Sequence, residues 1–338
     1  MRAAIVSPDL SEPALRLARL PQPRPQAGWV RVRLHAAALN QLDHMMVQDR
    51  ASLGRPSVLG SDGAGVVNAV GQGVTSVAPG DEVVISPSLF WGDDPTHPGP
   101  DYEILGAPTD GTHAEFVVVP AANVAPKPGR LSWEQAAALP MAGMTAWRAL
   151  VTRGRLSRGE TVVIGAAASG VGTFAVQIAK ALGARVIAVT SKPRADAVRG
   201  LGADDVVLRT RGDFGSALAD AAQGADVALD PSGALWQPLA DALRPAGRLV
   251  VVGKAGADVG VLRVQSLYWK QLDVLGSSMG SPADFTAYLD HVSTATWSPR
   301  VDSVYPLERV ADAYERLNAP TRVGKVVLDT RTVSATRR

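Results

Sequence analysis

The order of apolar and polar positions divides the chain into three stretches. Up to residue 126, short alternating or β-branched runs are separated by Gly, Pro and Asp turns: Trp29–Leu34, Gly65–Val67, Glu82–Ile85 and Glu115–Val119. A period of two between turn residues predicts strands, here those of a rolled, partly antiparallel sheet. Pro126, Pro128 and Gly129 interrupt the pattern, and Ser132 stands where the cap of a helix over Trp133–Ala138 belongs. From residue 161 the texture changes to β-branched runs, each followed by an Ala-rich helical stretch: Thr161–Ile164, Arg185–Val189, Asp205–Leu208, Asp226–Leu229, Arg248–Val252 and Leu272–Leu275. Their starts lie 20 to 24 residues apart. That is the length of one strand, one crossover helix and two short loops, and its repetition predicts a parallel sheet covered on both faces.

After residue 280 the alternation gives way to a helix (Ala283–Val292), a strand (Val301–Val304), a second helix (Leu307–Leu317) and a last strand (Gly324–Leu328). A tail this short cannot bury a core of its own, so it is expected to rejoin the N-terminal part. The predicted fold class is α/β. Residues 1–126 and 281–338 are expected to form a discontinuous β-rich domain. Residues 127–280 form a doubly wound parallel-sheet domain inserted into it, six strands being a complete dinucleotide fold.

Composition then excludes several function classes. Of 338 residues, 46% are hydrophobic and 20% charged, the balance of a soluble globular protein of about two domains. The net charge is only +2 and Lys and Arg are scattered, so no nucleic-acid partner is expected. The first residues, Met1–Leu15, lack the apolar run of a signal peptide, and no long apolar stretch suits a bilayer, which implies no membrane partner and a cytoplasmic location. With no cysteine, the chain has neither disulfides nor thiolate-ligated zinc.

The segment Thr161–Lys180 carries the clearest chemistry: a buried strand, a small-residue turn and an apolar-periodic helix, in that order. Small side chains at Ala167, Ser169, Gly170 and Gly172, with Val171 between the glycines, let backbone N–H groups and the helix dipole meet a pyrophosphate. The plainer reading is a tight turn packing a helix onto a sheet; six regularly spaced βα units favour the nucleotide. At the end of the second strand, where a carboxylate would bind the ribose hydroxyls of NAD, the sequence Val189–Arg194 has none. Thr190, Ser191, Lys192 and Arg194 stand there as donors for a 2′-phosphate, which points to NADPH; a solvated basic helix start is the alternative. Ser232 after the fourth strand, and Gly253 and Lys254 after the fifth, fall at the carboxyl end of the sheet where dinucleotides lie.

The segments Ala38–Asp43, Leu59–Val67, Val77–Val83, Gly111–Phe116, Ala136–Pro140, Thr145–Trp147, Ala167–Gly172 and Gly324–Val327 together resemble the medium-chain dehydrogenase/reductase superfamily. The likeness spans almost the whole chain and is to the zinc-free, quinone-oxidoreductase-like branch. It implies a GroES-like catalytic and substrate domain, a Rossmann domain, a homodimer joined through the edges of the inserted sheet, and hydride transfer from NADPH. The small-molecule acceptor would be a quinone or a carbon–carbon double bond conjugated to a carbonyl. Zinc alcohol dehydrogenases of this superfamily use two cysteines and a histidine. By resemblance Asn40, Ser61 and Met141 replace those ligands and Asp62 keeps the following carboxylate, which implies no zinc. The four-cysteine lobe is replaced by Phe90–Gly106, read as a solvated loop, a substrate cover or a dimer contact. Its Asp93, Asp94, His97 and Asp101 could take a hard cation.

By the same resemblance, Asn40 and Asp43 border the nicotinamide cleft, with Asn40 amide hydrogens reaching an acceptor carbonyl and Asp43 orienting its neighbours. Both could instead cap the loop after a strand. His44 is a candidate proton donor or a solvent-facing loop residue. Thr145, at a helix start, contacts the nicotinamide or bonds its own backbone. Lys325 would pair with a cofactor phosphate. Met141, Phe90, Trp91, Tyr268 and Trp269 line an apolar pocket or belong to the core. Two rival readings are a zinc alcohol dehydrogenase with ligands drawn from His44, Asp62 and His113, and a nucleotide-binding protein without turnover.

Overall fold

Strands β1 (Arg2–Val6), β2 (Leu15–Arg19) and β3 (Trp29–Ala38) open the chain in the computed structural model, which describes residues 1–331 apart from 107 and 211. The end of the expected second domain segment, 332–338, lies outside the described residues. Helix α1 (Gln41–Gln48) is followed by β4 (Ser57–Val58), β5 (Asp62–Val70), β6 (Glu82–Ile85), β7 (Ser88–Leu89), β8 (Glu103–Ile104), β9 (Phe116–Pro120) and β10 (Val124–Pro126). Helices α2 (Trp133–Ala138) and α3 (Pro140–Trp147) lead into β11 (Thr161–Ile164), α4 (Gly170–Ala181), β12 (Arg185–Thr190), α5 (Ala195–Gly200) and β13 (Asp205–Leu208). The alternation continues through α6 (Phe214–Ala222), β14 (Ala225–Asp230), α7 (Trp236–Ala242), β15 (Leu243–Val251), α8 (Val264–Lys270) and β16 (Asp273–Gly276). The tail is α9 (Pro282–Thr294), β17 (Val301–Pro306), α10 (Val310–Asn318) and β18 (Lys325–Asp329).

The fold is a GroES-like β-rich domain joined to a Rossmann domain. All six strands of the second sheet are parallel, in the order β13-β12-β11-β14-β15-β16. This doubly wound order leaves a crevice outside the carboxyl ends of β11 and β14, where the winding reverses. Burial runs through Val162–Ile164 and Val186–Thr190 without alternation, as strands covered on both faces require.

In the β-rich domain, β3 buries Val30, Val32 and Leu34 while Arg31 and Arg33 stay at least partly in solvent, the period of two read from sequence. Its second half, Ala36–Ala38, is buried throughout, because α2 covers one face and α10 the other. Residues Trp29–Arg33 pair with β9, whereas Ala36–Ala38 pair with β18. One long strand thereby serves two partners on the same side, which rolls the sheet. The tail does return to this domain: β17 and β18 complete its path β10-β6-β5-β3-β18-β17. The second tail helix starts at Val310 rather than Leu307, since a single 3-10 turn over Leu307–Arg309 leads in from Pro306.

Helix α2 has the expected cap, with Gln135 N–H donating to Ser132 Oγ at 3.2 Å and Ser132 N–H donating to the Gln135 side chain. It packs on β3, β5 and β18 of the β-rich body, although it lies past residue 126. Helix α3 then starts with Pro140 at its first position and is buried on all sides from Pro140 to Ala146. It lies between α4 and α9 and is the joint of the two domains. Among the described residues no helix is long and apolar enough to cross a membrane.

The joint has no spare room at Gly143, where a Cβ would collide with the hydroxyl of Tyr288. That hydroxyl is buried and has no hydrogen-bond partner. Gly143→Ala should therefore destabilise the protein by about 1–3 kcal/mol, read as a lower urea midpoint. Adding Tyr288→Phe should recover only part of the loss, because ring carbons Cζ and Cε1 would still crowd the new methyl, whereas Tyr288→Leu, which takes the ring away, should recover more. A Gly143→Ala protein as stable as the parent would refute this packing.

Candidate active site

Strand register assembles the site. Ala38 lies opposite Asp62 of β5 and opposite Val327 of β18, so two residues back along β18 the antiparallel register brings Lys325 opposite Asn40. All three side chains are buried: Asn40 is 8% exposed, Lys325 2% and Asp62 0%. Lys325 Nζ donates to Asp62 Oδ2 at 2.8 Å and to Asn40 Oδ1, and Asn40 Nδ2 donates to the same Asp62 oxygen at 3.0 Å. The other Asp62 oxygen accepts from Met141 N–H at 2.7 Å, at the start of α3. A buried ammonium is tolerable only when so compensated.

This corrects two expectations. Lys325 does not direct its charge to the cofactor turn; its head is held by Asp62, and only its stem touches the turn, packing where a Cβ on Gly170 would lie. The Asn40 amide is not wholly free for a ligand, since Nδ2 and Oδ1 both have partners inside the cluster.

Asp43, 1% exposed, accepts from Asn40 N–H at 2.7 Å, the orienting contact expected of it. Burial pushes its carboxyl up to about 7, against the lowering effect of the Asn40 N–H and the Lys325 charge. His113 is also buried, which drives it down to about 3, so it is neutral; its Nδ1 faces Tyr314 Oη at 3.4 Å. His44 points elsewhere: its Nδ1 meets Asn318 Nδ2 at 3.2 Å on α10. That contact removes it from the Asn40 cluster as a proton donor. Thr145 is buried at 6% exposure, one turn beyond Met141 in the interior of α3 rather than at a helix start.

The turn between β11 and α4 is built without a glycine at its left-handed position, Ala166, where φ is 46°. Ser169 caps α4, its Oγ accepting from Gly172 N–H at 3.0 Å, while Ala167 N–H donates to the Val189 carbonyl at 3.0 Å. The N–H groups of Ala167 and Gly172 are thus spent on shape, and Gly172 is required because a Cβ would strike the Ala166 carbonyl. Gly170 and Val171 head the helix, where N–H groups have no partner one turn back and the dipole is positive.

At the end of β12, Ser191 Oγ accepts from Arg194 Nε at 2.9 Å, and Thr190 is buried with its hydroxyl unpartnered. Lys192 is exposed. Burial, and then the charge of Arg209, hold the Arg194 guanidinium below its ordinary value. Arg322 is pushed down to about 10, chiefly by burial, with Arg194 among the like charges acting on it. Arg194, Arg209 and Arg322 therefore converge. Arg209 and Arg322 were not singled out from sequence. Arg209 follows β13, and the rule that ligands bind at carboxyl ends of strands could have found it; Arg322 comes from the tail and carries no local signal.

Other candidates fall outside this group. The Ser232 N–H and hydroxyl both donate to Asp230 Oδ1, at 2.8 and 2.7 Å, so Ser232 closes a turn around a buried carboxylate. Gly253 lies close under the Pro231 carbonyl. Lys254 is exposed and paired with Asp258 at 3.4 Å, directed away from the turn by that partner.

A cavity of about 580 Å³ opens between the loop after β7 and the ends of β15 and β16, lined by Trp91, His97, Arg148, Trp236, Val252 and Gly253 among others. Asn40, Met141 and Thr145 are not in its wall. Arg148, just past α3, donates to the carbonyls of Pro95 and Thr96 at 3.0 and 2.6 Å, pairs with Asp284, and lies 5.1 Å over the Trp91 ring. The loop is thereby strapped down as a roof, with its outer residues 93–98 in solvent. Of the expected pocket aromatics, only Trp91 lines the cavity. Phe90 is 43% exposed and turned toward Trp29, and Tyr268 and Trp269 are exposed on α8.

Residues 26–129 match the family model described as an alcohol dehydrogenase GroES-like domain, and residues 170–294 the one described as a zinc-binding dehydrogenase. The acryloyl-coenzyme A reductase of Metallosphaera sedula is 30% identical over 322 residues, 91% of this chain and 94% of that protein. Polyketide synthase GfsB of Streptomyces halstedii is 32% identical over 314 residues, 90% of this chain but 5% of that longer protein. Among solved structures, an NAD-dependent alcohol dehydrogenase has a TM-score of 0.89 at 39% identity, covering 97% of this chain and 99% of that one. A cobalt- and zinc-bound thermostable alcohol dehydrogenase from Pyrobaculum aerophilum has 0.86 at 34%, covering 97% and 99%. The chain belongs to the medium-chain dehydrogenase/reductase family of oxidoreductases.

The zinc that the family model's description names does not fit these residues. Asn40, Ser61 and Met141 are poor ligands for an ion that takes thiolate, imidazole or carboxylate. The one carboxylate, Asp62, is neutralised by an ammonium 2.8 Å away, which would repel a cation. His44 and His113 face Asn318 and Tyr314 instead. Among the described residues no group of three or more His, Cys, Asp or Glu could hold a metal.

The raised Asp43 carboxyl has a consequence for stability. An unfolded aspartate releases its proton near 3.8 and this one near 7, so between those values the folded state binds a proton that the unfolded chain does not. This group's contribution to stability therefore falls as pH rises through that window. Asp43→Asn should gain at least about 3 °C in Tm relative to the parent on going from pH 5 to pH 8, by calorimetry. A Tm difference that does not change with pH would contradict the raised value.

Proposed function

We propose that the protein is a zinc-independent, NADPH-dependent reductase of the quinone-oxidoreductase-like kind. Its acceptor is a carbon–carbon double bond conjugated to a carbonyl, or a quinone. The observation that carries this reading is the Lys325–Asp62–Asn40 cluster: a buried ammonium and an amide occupy the ground where zinc-dependent relatives would hold their metal. Gly170 and Val171 would hold the pyrophosphate by their N–H groups, and Ser191, Lys192, Arg194 and Arg209 the 2′-phosphate, which guanidinium groups bind well. When bound, the reduced nicotinamide supplies the hydride. The chain's own residues then have to exclude water and offer hydrogen-bond donors to the negative charge developing on the acceptor oxygen, and Asn40 Nδ2 is the donor at hand.

The name of the Metallosphaera sedula relative, a reductase of an acryloyl thioester, agrees with an activated double bond. The NAD-dependent alcohol dehydrogenase at 39% identity is the opposing comparison, and cofactor preference tests the present reading against it. Fluorescence titration should give NADPH at least about tenfold tighter binding than NADH. Arg194→Ala with Arg209→Ala should bring the two to near parity. Tighter NADH binding by the parent would remove NADPH from the reading, and NADPH oxidation screened against small enals, enones and quinones tests the acceptor.

The protein is further proposed to be a homodimer. Strand β16 ends its sheet with one side unpaired, and beside it Val264, Tyr268, Trp269 and Val274 are 73%, 56%, 77% and 39% exposed. An open edge next to an apolar patch favours a second copy. Sedimentation should give a dimer, and Trp269→Glu with Val264→Glu a monomer. A parent that sediments as a monomer at micromolar concentration would overturn this.

A further inference from the structure

A side-chain amide has two ends of nearly equal size, and only its partners decide which way it points. At Asn40 the partners leave no choice. Lys325 has only donors, so the amide oxygen must face it; the Asp62 carboxylate only accepts, so the amide nitrogen must face that side. Reversing the amide would set N–H groups against an ammonium and an oxygen against a carboxylate. The backbone of Asn40 is held as well, its N–H donating to Asp43 at 2.7 Å. One Nδ2 hydrogen is used on Asp62 and one is left. Of the three groups, Asn40 retains the most contact with solvent, at 8% against 2% for Lys325 and 0% for Asp62.

We propose that the buried Lys325–Asp62 ion pair is a positioning device that locks the Asn40 amide with its oxygen inward, offering the second Nδ2 hydrogen to the acceptor carbonyl. This rests on the reductase reading and adds a division of labour to it: Asn40 touches the substrate, and Lys325 and Asp62 act through Asn40. The lock has a further link. The Lys325 stem passes the first residue of α4, where a Cβ on Gly170 would meet its Cδ at 3.3 Å. The phosphate-binding helix thus braces the lysine that fixes the amide. A charged pair in the interior adds little net stability over an apolar pair of the same shape, whereas a fixed donor direction is worth much in a reaction that develops charge on oxygen.

The test uses the full-length protein. Lys325→Met alone would strand a buried carboxylate, so the main variant is Lys325→Met with Asp62→Asn, which removes both charges at similar volume. It should fold, bind NADPH within about twofold of the parent, and lose roughly 100-fold in kcat for enal or quinone reduction with little change in KM. Lys325→Arg, which keeps the donor, should recover part of that loss. A double variant with the parent's kcat would overturn the proposal. A second readout needs no turnover. In protein labelled with 15N-asparagine, the Asn40 Nδ2 hydrogen that is bonded to Asp62 should exchange slowly with solvent in the parent and quickly in the double variant. Fast exchange in the parent would also overturn the lock. A protected Asn40 amide in a parent that reduces no enal, enone or quinone would support the lock and refute the reductase reading.

Discussion

An ammonium and a carboxylate can share a dry interior only while each neutralises the other, and this molecule is arranged so that Lys325 and Asp62 do so at 2.8 Å. The pair exists only if three strands keep register. Asp62 opens β5, Asn40 follows β3, and Lys325 opens β18. A slip of one residue in any of them would turn the partner to the opposite face of the sheet and leave a bare charge in the core. The ion pair therefore acts as a check on the pairing of the rolled sheet. The alanines at Ala36–Ala38 give it the room, since larger side chains would hold α2 and α10 away from the strand that carries Asn40.

Helix α3 ties that check to the second domain. Its first turn gives Met141 N–H to Asp62, its middle packs on α4, and its far end delivers Arg148 to the roof loop and to Asp284. The cavity beside Arg148, the turn before α4 and the buried charge pair are thus linked through one helix whose only polar side chain is Thr145. A helix without a polar face has no orientation of its own in water. Its position is set by the surfaces that enclose it and by the contacts at its two ends, Met141 N–H to Asp62 and Arg148 to Asp284.

What was legible in the sequence was what is local. The six βα units show because a strand and its crossover helix fall within one stretch of 20 to 24 residues, and the Ser132 cap shows because its partner is Gln135. The Ser169 turn was legible as a shape, although two of its N–H groups, on Ala167 and Gly172, bond within the fold. Lys325 was misread because its partners Asn40 and Asp62 are 285 and 263 residues away. No spacing rule reaches so far. The surroundings of His44 were hidden for a related reason: α10, which meets it, is encoded at the other end of the chain. Arg322 and Arg209 escaped notice because a cluster of charges from three separate segments leaves no run in the sequence.

The separation of Asn40 from Lys325 by 285 residues also orders events during synthesis. The inserted parallel sheet is complete once β16 has emerged from the ribosome, before β18 exists. Until then Asp62 belongs to an unfinished sheet that lacks the lysine it pairs with. The parallel sheet thus has all its strands before the chain contains the lysine that neutralises Asp62.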